Sequence, residues 1–180
     1  MRFLCIAFIL LFVSCKEEKV RLHEDFVFST GGDIKIKSFK FINDTVFVAS
    51  EYPKSENVYY FLLNDEQKNK INVFLDSINK RSYKSEYIQE GLRDAGSYQF
   101  EFLNKKGTIY VYGFHYDYEI EELKYIGKLA GFICRLDESH RFIINNETYY
   151  PDEKLYWNRD VNFGNIKRFI IPDIPYDTIH

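Results

Sequence analysis

The chain has 180 residues, with 24 basic and 27 acidic side chains and a formal net charge of −3. Its lysines and arginines are interleaved with acids instead of gathered into a stripe, so nucleic acid has no electrostatic footprint to bind. No repeat at a solenoid period and no Pro-, Gly- or Ser-rich linker divides it, and its 18% aromatic content, mostly Tyr and Phe, favours pleated sheet.

In chain order, Arg2 is followed by an apolar run over 3–13, broken by nothing more polar than Cys5, and Ser14-Cys15 closes the run before the charges of Lys16, Glu17, Glu18 and Lys19. A bilayer span needs about 20 apolar residues, whereas a signal-peptide core takes about 7–15, so 1–14 reads as a signal peptide. Ser14-Cys15 resembles the end of a bacterial lipoprotein signal, with Phe12 where that family usually has leucine. The resemblance implies acylation of Cys15 and attachment to a membrane through the N-terminal lipid. Two or more chains anchor stably, at about 0.8 kcal/mol per buried methylene, where one is marginal. Lys16-Glu17-Glu18 resembles the lysine-plus-two-acids signal by which one group of Gram-negative bacteria sends lipoproteins to the outer face of the outer membrane. That implies an outer-membrane address, at the cell surface or on the periplasmic face. Residues 15–24 read as a lipidated tether and 25–180 as a single domain. Cys5 leaves with the signal and Cys15 is acylated, so Cys134 stands alone and no disulfide forms within the mature domain.

Residues 25–29 are a first strand, ended by the turn cluster Thr30-Gly31-Gly32-Asp33. Ile34 and Ile36 alternate with lysines, but the apolar parity then slips to Phe39 and Phe41, which predicts a bulge near Ser38 or two abutting strands. Asn43-Asp44 is a tight hairpin turn into 45–50, and after a loop over 53–57, residues 58–63 are apolar on both parities and read as a central, covered strand. Asn64 caps a helix with Gln67 three residues on, Asp65 and Glu66 in the first turn, and Ile71, Phe74, Leu75 and Ile78 on its core face. The polar stretch 81–96, with Tyr83, Tyr87, Arg93 and Asp94, is where a loop-borne site would be sought.

Residues 98–114 form a hairpin. A type I turn on Asn104-Lys105-Lys106-Gly107 sets Asn104 against Thr108, pairing Phe102 with Tyr110, Phe100 with Tyr112 and Tyr98 with Phe114. Six aromatics then share one face, either as core beneath the helices or as an exposed platform for a protein or glycan partner. Asp117 is the expected N-cap of a second helix whose polar stripe is Lys124, Lys128, Gly131 and Arg135, with Cys134 an inert buried thiol. His115-x-Asp117 is the one compact pair that suggests catalysis or metal binding. His23, His140 and His180 fall at no spacing that completes a metal site, and no phosphate loop, Ser elbow or paired zinc cysteines occur, so no catalytic residue, metal or cofactor is assigned. A second hairpin about Asn145-Asn146, strands at 154–157 and 166–171, and a tail after Pro172 complete the chain.

The order of elements implies an α+β domain, a mostly antiparallel sheet with two helices packed on it. Between about 34 and 136 this layout is similar to uncharacterised lipoproteins of the same bacterial group. Asp44-Thr45-Val46, Asp76-Ser77-Ile78 and Asp177-Thr178-Ile179 also resemble the acid, hydroxyl, aliphatic triplet that this group O-glycosylates; Thr45 in a turn and Thr178 in a tail are the accessible candidates. The preferred function is a non-enzymatic envelope lipoprotein that binds a protein or glycan. An immunity-type lipoprotein that neutralises a toxin is the alternative, and an unrecognised hydrolase the third.

Overall fold

The computed structural model describes residues 19–32, 35–92, 95–105, 107–114, 120–144, 147–149 and 161–164, with backbone alone at 142–144 and 147–149. Strands β1 (Phe26–Gly31), β2 (Ile36–Ile42), β3 (Thr45–Tyr52) and β4 (Lys54–Leu62) lead to helix α1 (Asp65–Asn79). Strands β5 (Glu86–Ile88), β6 (Ser97–Phe102) and β7 (Gly107–Tyr112), helix α2 (Lys124–His140) and the pair β8 (Phe142–Ile144) and β9 (Glu147–Tyr149) follow. The first seven strands form one sheet in the order β4-β3-β2-β1-β6-β7-β5, antiparallel except where β5 runs parallel to β7. This is the expected α+β arrangement.

Aromatic alternation explains the pairing. Phe26 in β1 lies opposite Phe41 on one side and Phe102 on the other, and Phe28 lies between Phe39 and Phe100. Val46 and Phe61 extend the first row across β3 and β4, and Val48 and Tyr59 the second. Phe26 and Phe41 stack at 4.4 Å, and cross-strand pairs of this kind contribute about 0.2–1 kcal/mol each. Both rows face the helices, where Ile71, Leu75, Ile78, Leu123, Ile126, Leu129 and Ile133 complete the main core.

The expected cap of α1 is present: Gln67 N donates to Asn64 Oδ1 and Asn64 N donates to Gln67 Oε1, both at 2.9 Å. Ile71, Leu75 and Ile78 are buried as their spacing requires, while Phe74 is half-buried against Phe132 of α2. The expected N-cap Asp117 lies outside the described residues; α2 follows a 3₁₀ turn at Glu121–Leu123 and has no side-chain cap. Its N-terminal end meets β5 and its C-terminal end meets β4, where His140 stacks on Phe61 at 4.4 Å. Lys37 Nζ binds the buried Asp137 carboxylate at 3.0 Å, tying β2 to the same end. Gly131, expected on the polar stripe, is buried, and Cys134, expected to be buried, is half-buried.

Two strand readings are corrected, for one reason. Residues 58–62 belong to β4, which among the described residues is an edge strand and not a central one. The strand β2 pairs with β1 without interruption from Gly31↔Ile36 to Phe26↔Phe41, so no bulge re-aims it at Ser38; the irregularity falls on β3, where Lys37 pairs with Ser50 and Ile36 with Tyr52. Ile36 and Val58 point to the sheet's second face, away from the helices, and are nevertheless buried. That face has its own small apolar cluster, in which Val27, Ala49 and Val58 are covered by Phe163 from the C-terminal part of the chain. Apolar residues on both parities therefore mark a strand covered on two sides, whatever its rank in the sheet.

Candidate functional site

The six-aromatic face is not formed. The observed register sets Phe102 opposite Gly107, Phe100 opposite Ile109 and Tyr98 opposite Val111, with Gln99 facing Tyr110 and Ser97 facing Tyr112. Gly107 is the first residue of β7 and not part of the turn, and the resulting shift of three exchanges the faces of β7. The chemistry favours this register: Ile109 and Val111, with no polar atoms, fill the core under the helices beside Tyr98, Phe100 and Phe102. Tyr110 and Tyr112 instead lie on the second face among Ser97, Gln99 and Glu101, where hydroxyls find partners. Tyr112 Oη donates to Leu92 O at 3.2 Å and accepts from Ala95 N at 3.4 Å. All five strand aromatics are at least nine-tenths buried, and Phe114, beyond the strand, packs partly buried on the core. None presents a platform.

The second face is closed by residues 161–164. Lys40 Nζ donates to Asn162 O at 2.8 Å, and Gly164 takes a φ of +75° with its Cα against the Glu101 carboxylate, where an added Cβ would lie 2.1 Å from Glu101 Oε2. The left-handed φ favours glycine there, and an added Cβ would make the Glu101 carboxylate shift. Beneath this cover Ser29 and Ser38 hydroxyls bond each other at 2.8 Å.

In the stretch 81–96, the structure brings Tyr83 and Tyr87 together with Glu122, which precedes α2; Arg93 and Asp94 lie outside the described residues. Tyr87 Oη donates to Glu122 Oε1 at 2.5 Å and accepts from Lys84 N at 3.0 Å, while Arg81 stacks over Tyr125 at 4.2 Å. Burial, with the Glu122 hydrogen bond second, pushes the Tyr87 phenol up to about 12, and burial raises Tyr83 as well. A phenol held neutral this firmly is a hydrogen-bond donor and not a proton acceptor or nucleophile near neutral pH. The cluster fastens β5 to the start of α2.

A third polar cluster was not anticipated. The expected tether, 15–24, is docked from Lys19 onward. Lys19 Nζ pairs with Asp44 Oδ2 at 3.2 Å, and that hydrogen bond, outweighing partial desolvation, holds the Asp44 carboxyl below its usual range. Arg21 O accepts from Asn72 Nδ2 at 2.8 Å, His23 N donates to Asn72 Oδ1 at 2.8 Å, and His23 Nδ1 lies 2.9 Å from Asp76 Oδ1. Leu22 packs on the main core. Glu24 is 4% exposed and neither carboxylate oxygen accepts a hydrogen bond; Lys105 Nζ, 3.6 Å away and also bonded to Asn79, faces it. Asp25 closes the strap by accepting from Leu103 N at 3.1 Å and from Asn43 N at 3.2 Å. The missed signal was Leu22 between charged residues, an apolar side chain that a solvated tether does not need.

Among the described residues no group of three or more His, Cys, Asp or Glu is placed to hold a metal ion. Thr45 is half-buried as the first residue of β3, its Oγ1 3.5 Å from Asp44 Oδ1. Cys15, Lys16, Glu17, Glu18, His115, Asp117 and Thr178 lie outside the described residues, as do the strands expected at 154–157 and 166–171. Neither a family model, nor a curated protein, nor a solved structure matches the chain, so the reading of its function rests on its own residues.

Proposed function

We propose that this chain is an exported protein, anchored to the outer membrane by acylation of Cys15, whose folded domain binds a protein or glycan at the envelope and has no catalytic role. The observation that carries the reading is the sequence of Arg2, the apolar run 3–13, Ser14-Cys15 and then Lys16-Glu17-Glu18. The described polar clusters have structural roles. Tyr87 with Glu122, Lys37 with Asp137 and His23 with Asp76 each join one element to another, so their donors and acceptors are engaged in holding the fold. Lys16-Glu17-Glu18 then serves as the export instruction that places the domain on the cell surface.

Labelling with a clickable fatty acid tests the anchor: wild type takes the label and Cys15→Ser does not. Equal labelling of the two removes the anchor. In the same cells, replacing Lys16, Glu17 and Glu18 by alanine leaves labelling intact and removes the domain from the reach of externally added protease. Protection of the wild type from that protease places the domain on the periplasmic side instead.

A further inference from the structure

We propose that the domain stands on the lipid surface by one fixed end, the end built from the Asn43-Asp44 turn, the residue 19–25 strap, α1 and the Leu103-Asn104-Lys105 loop. The proposal rests on acylation of Cys15 and adds the orientation that acylation imposes. Lys19, the first described residue, is held on Asp44. Three residues, Lys16, Glu17 and Glu18, separate it from Cys15. Even fully extended, four residue steps reach about 14 Å. The strand β4 has nine residues and runs about 30 Å from the far turn to the near end. The far end, with Gly31, Tyr52, Ile88 and Ser97, therefore stands beyond the reach of the spacer when Lys19 is held. Had the whole of 15–24 been a free tether, ten residues would reach about 35 Å and the domain could turn over.

The strap is held along its length, so it cannot lengthen the leash cheaply. Leu22 is half-buried against the core, Glu24 is buried beside Lys105, and His23 and Arg21 are bonded to α1. The near end also offers lipid something to touch: Leu62, where β4 ends, and Leu103, in the β6–β7 loop, are 49% and 38% exposed. The partner of this end is thus a phospholipid surface, and any protein or glycan meets the sides or the far end.

The test uses the acylated protein in phosphatidylethanolamine–phosphatidylglycerol vesicles carrying a headgroup energy acceptor. A donor dye is attached at Asn104→Cys near the strap or at Lys54→Cys at the far turn, each with Cys134→Ser. Energy transfer is several-fold greater from position 104 than from 54, and a long Gly-Ser insertion between Glu18 and Lys19 abolishes the difference. Equal transfer from the two positions with the native spacer, in protein that floats with the vesicles, overturns the orientation and leaves the anchor standing. Protein that does not float overturns both.

Discussion

Lys19 and Asp44 show how one ion pair holds the first described residue on the domain. The lysine lowers the Asp44 pKa, so the pair contributes stability above the ordinary carboxylate value of 3.8 and loses it as the pH falls through the depressed value. Carboxyl-carbon NMR should find Asp44 titrating below 3.8, and Lys19→Ala should bring the midpoint back up. An unchanged midpoint means that Lys19 is not held on the turn. Both side chains are well exposed, so the pair positions the strap more than it stabilises the domain. Glu24 differs: it is buried with Lys105 beside it, an arrangement in which removing the partner costs more than the pair contributes. No composition or spacing argument reveals such a residue, because Glu24 among Arg21, His23 and Asp25 reads as solvated charge.

At the scale of elements, legibility followed whether a segment's signal was local. The α1 cap could be read because Asn64 and Gln67 satisfy each other within one turn. Asn64→Ala should cost about 1 kcal/mol, within a range of about 0.5–2, read as a lower urea midpoint with unchanged slope, and Asn64→Asp should restore it. The Asn43-Asp44 turn was equally local, and Asn43 takes the positive φ, 54°, that its side chain tolerates. The β6–β7 hairpin was not, since a turn that could close in more than one way leaves register to whichever face can bury Ile109 and Val111 without orphaning two tyrosine hydroxyls. Edge rank was hidden in the same way. Apolar parity reports coverage, and β4 is covered on both faces while having one neighbour among the described strands. The proposed anchor sits in a stretch where the signal is local, and the strap in one where it is not.

The molecule as a whole is sensitive to base through its buried phenols. Tyr87 and Tyr110 are pushed up to about 12, each first by burial, and Tyr98 is raised further by burial alone. A raised phenol favours the folded state fully below its unfolded value of about 10, and the advantage is lost as the pH rises through the folded value. Stability should hold to about pH 10 and fall between about 10 and 12, with tyrosinate absorbance appearing together with loss of ellipticity. Tyrosinate that forms near pH 10 in a still-folded protein would show these rings to be wetter than their packing implies. Tyr110→Phe, on the second face, should move the alkaline midpoint less than Tyr98→Phe, in the main core.

The centre of the sheet is assembled from distant parts of the chain. Strand β1 has β6 as one neighbour, Phe26 meeting Phe102, and the second face is sealed by Phe163. A polypeptide that emerges N-terminus first has β1 to β4 outside long before β6 arrives, and the lid at 162–164 comes later still. Until then the row of phenylalanines has one open flank, and β1 is an unpaired edge instead of the middle of the sheet. Under the proposed export this order has a use: the segment that covers the second face crosses after all seven strands of the sheet, so the chain stays pliable during their passage and gains its packed form later.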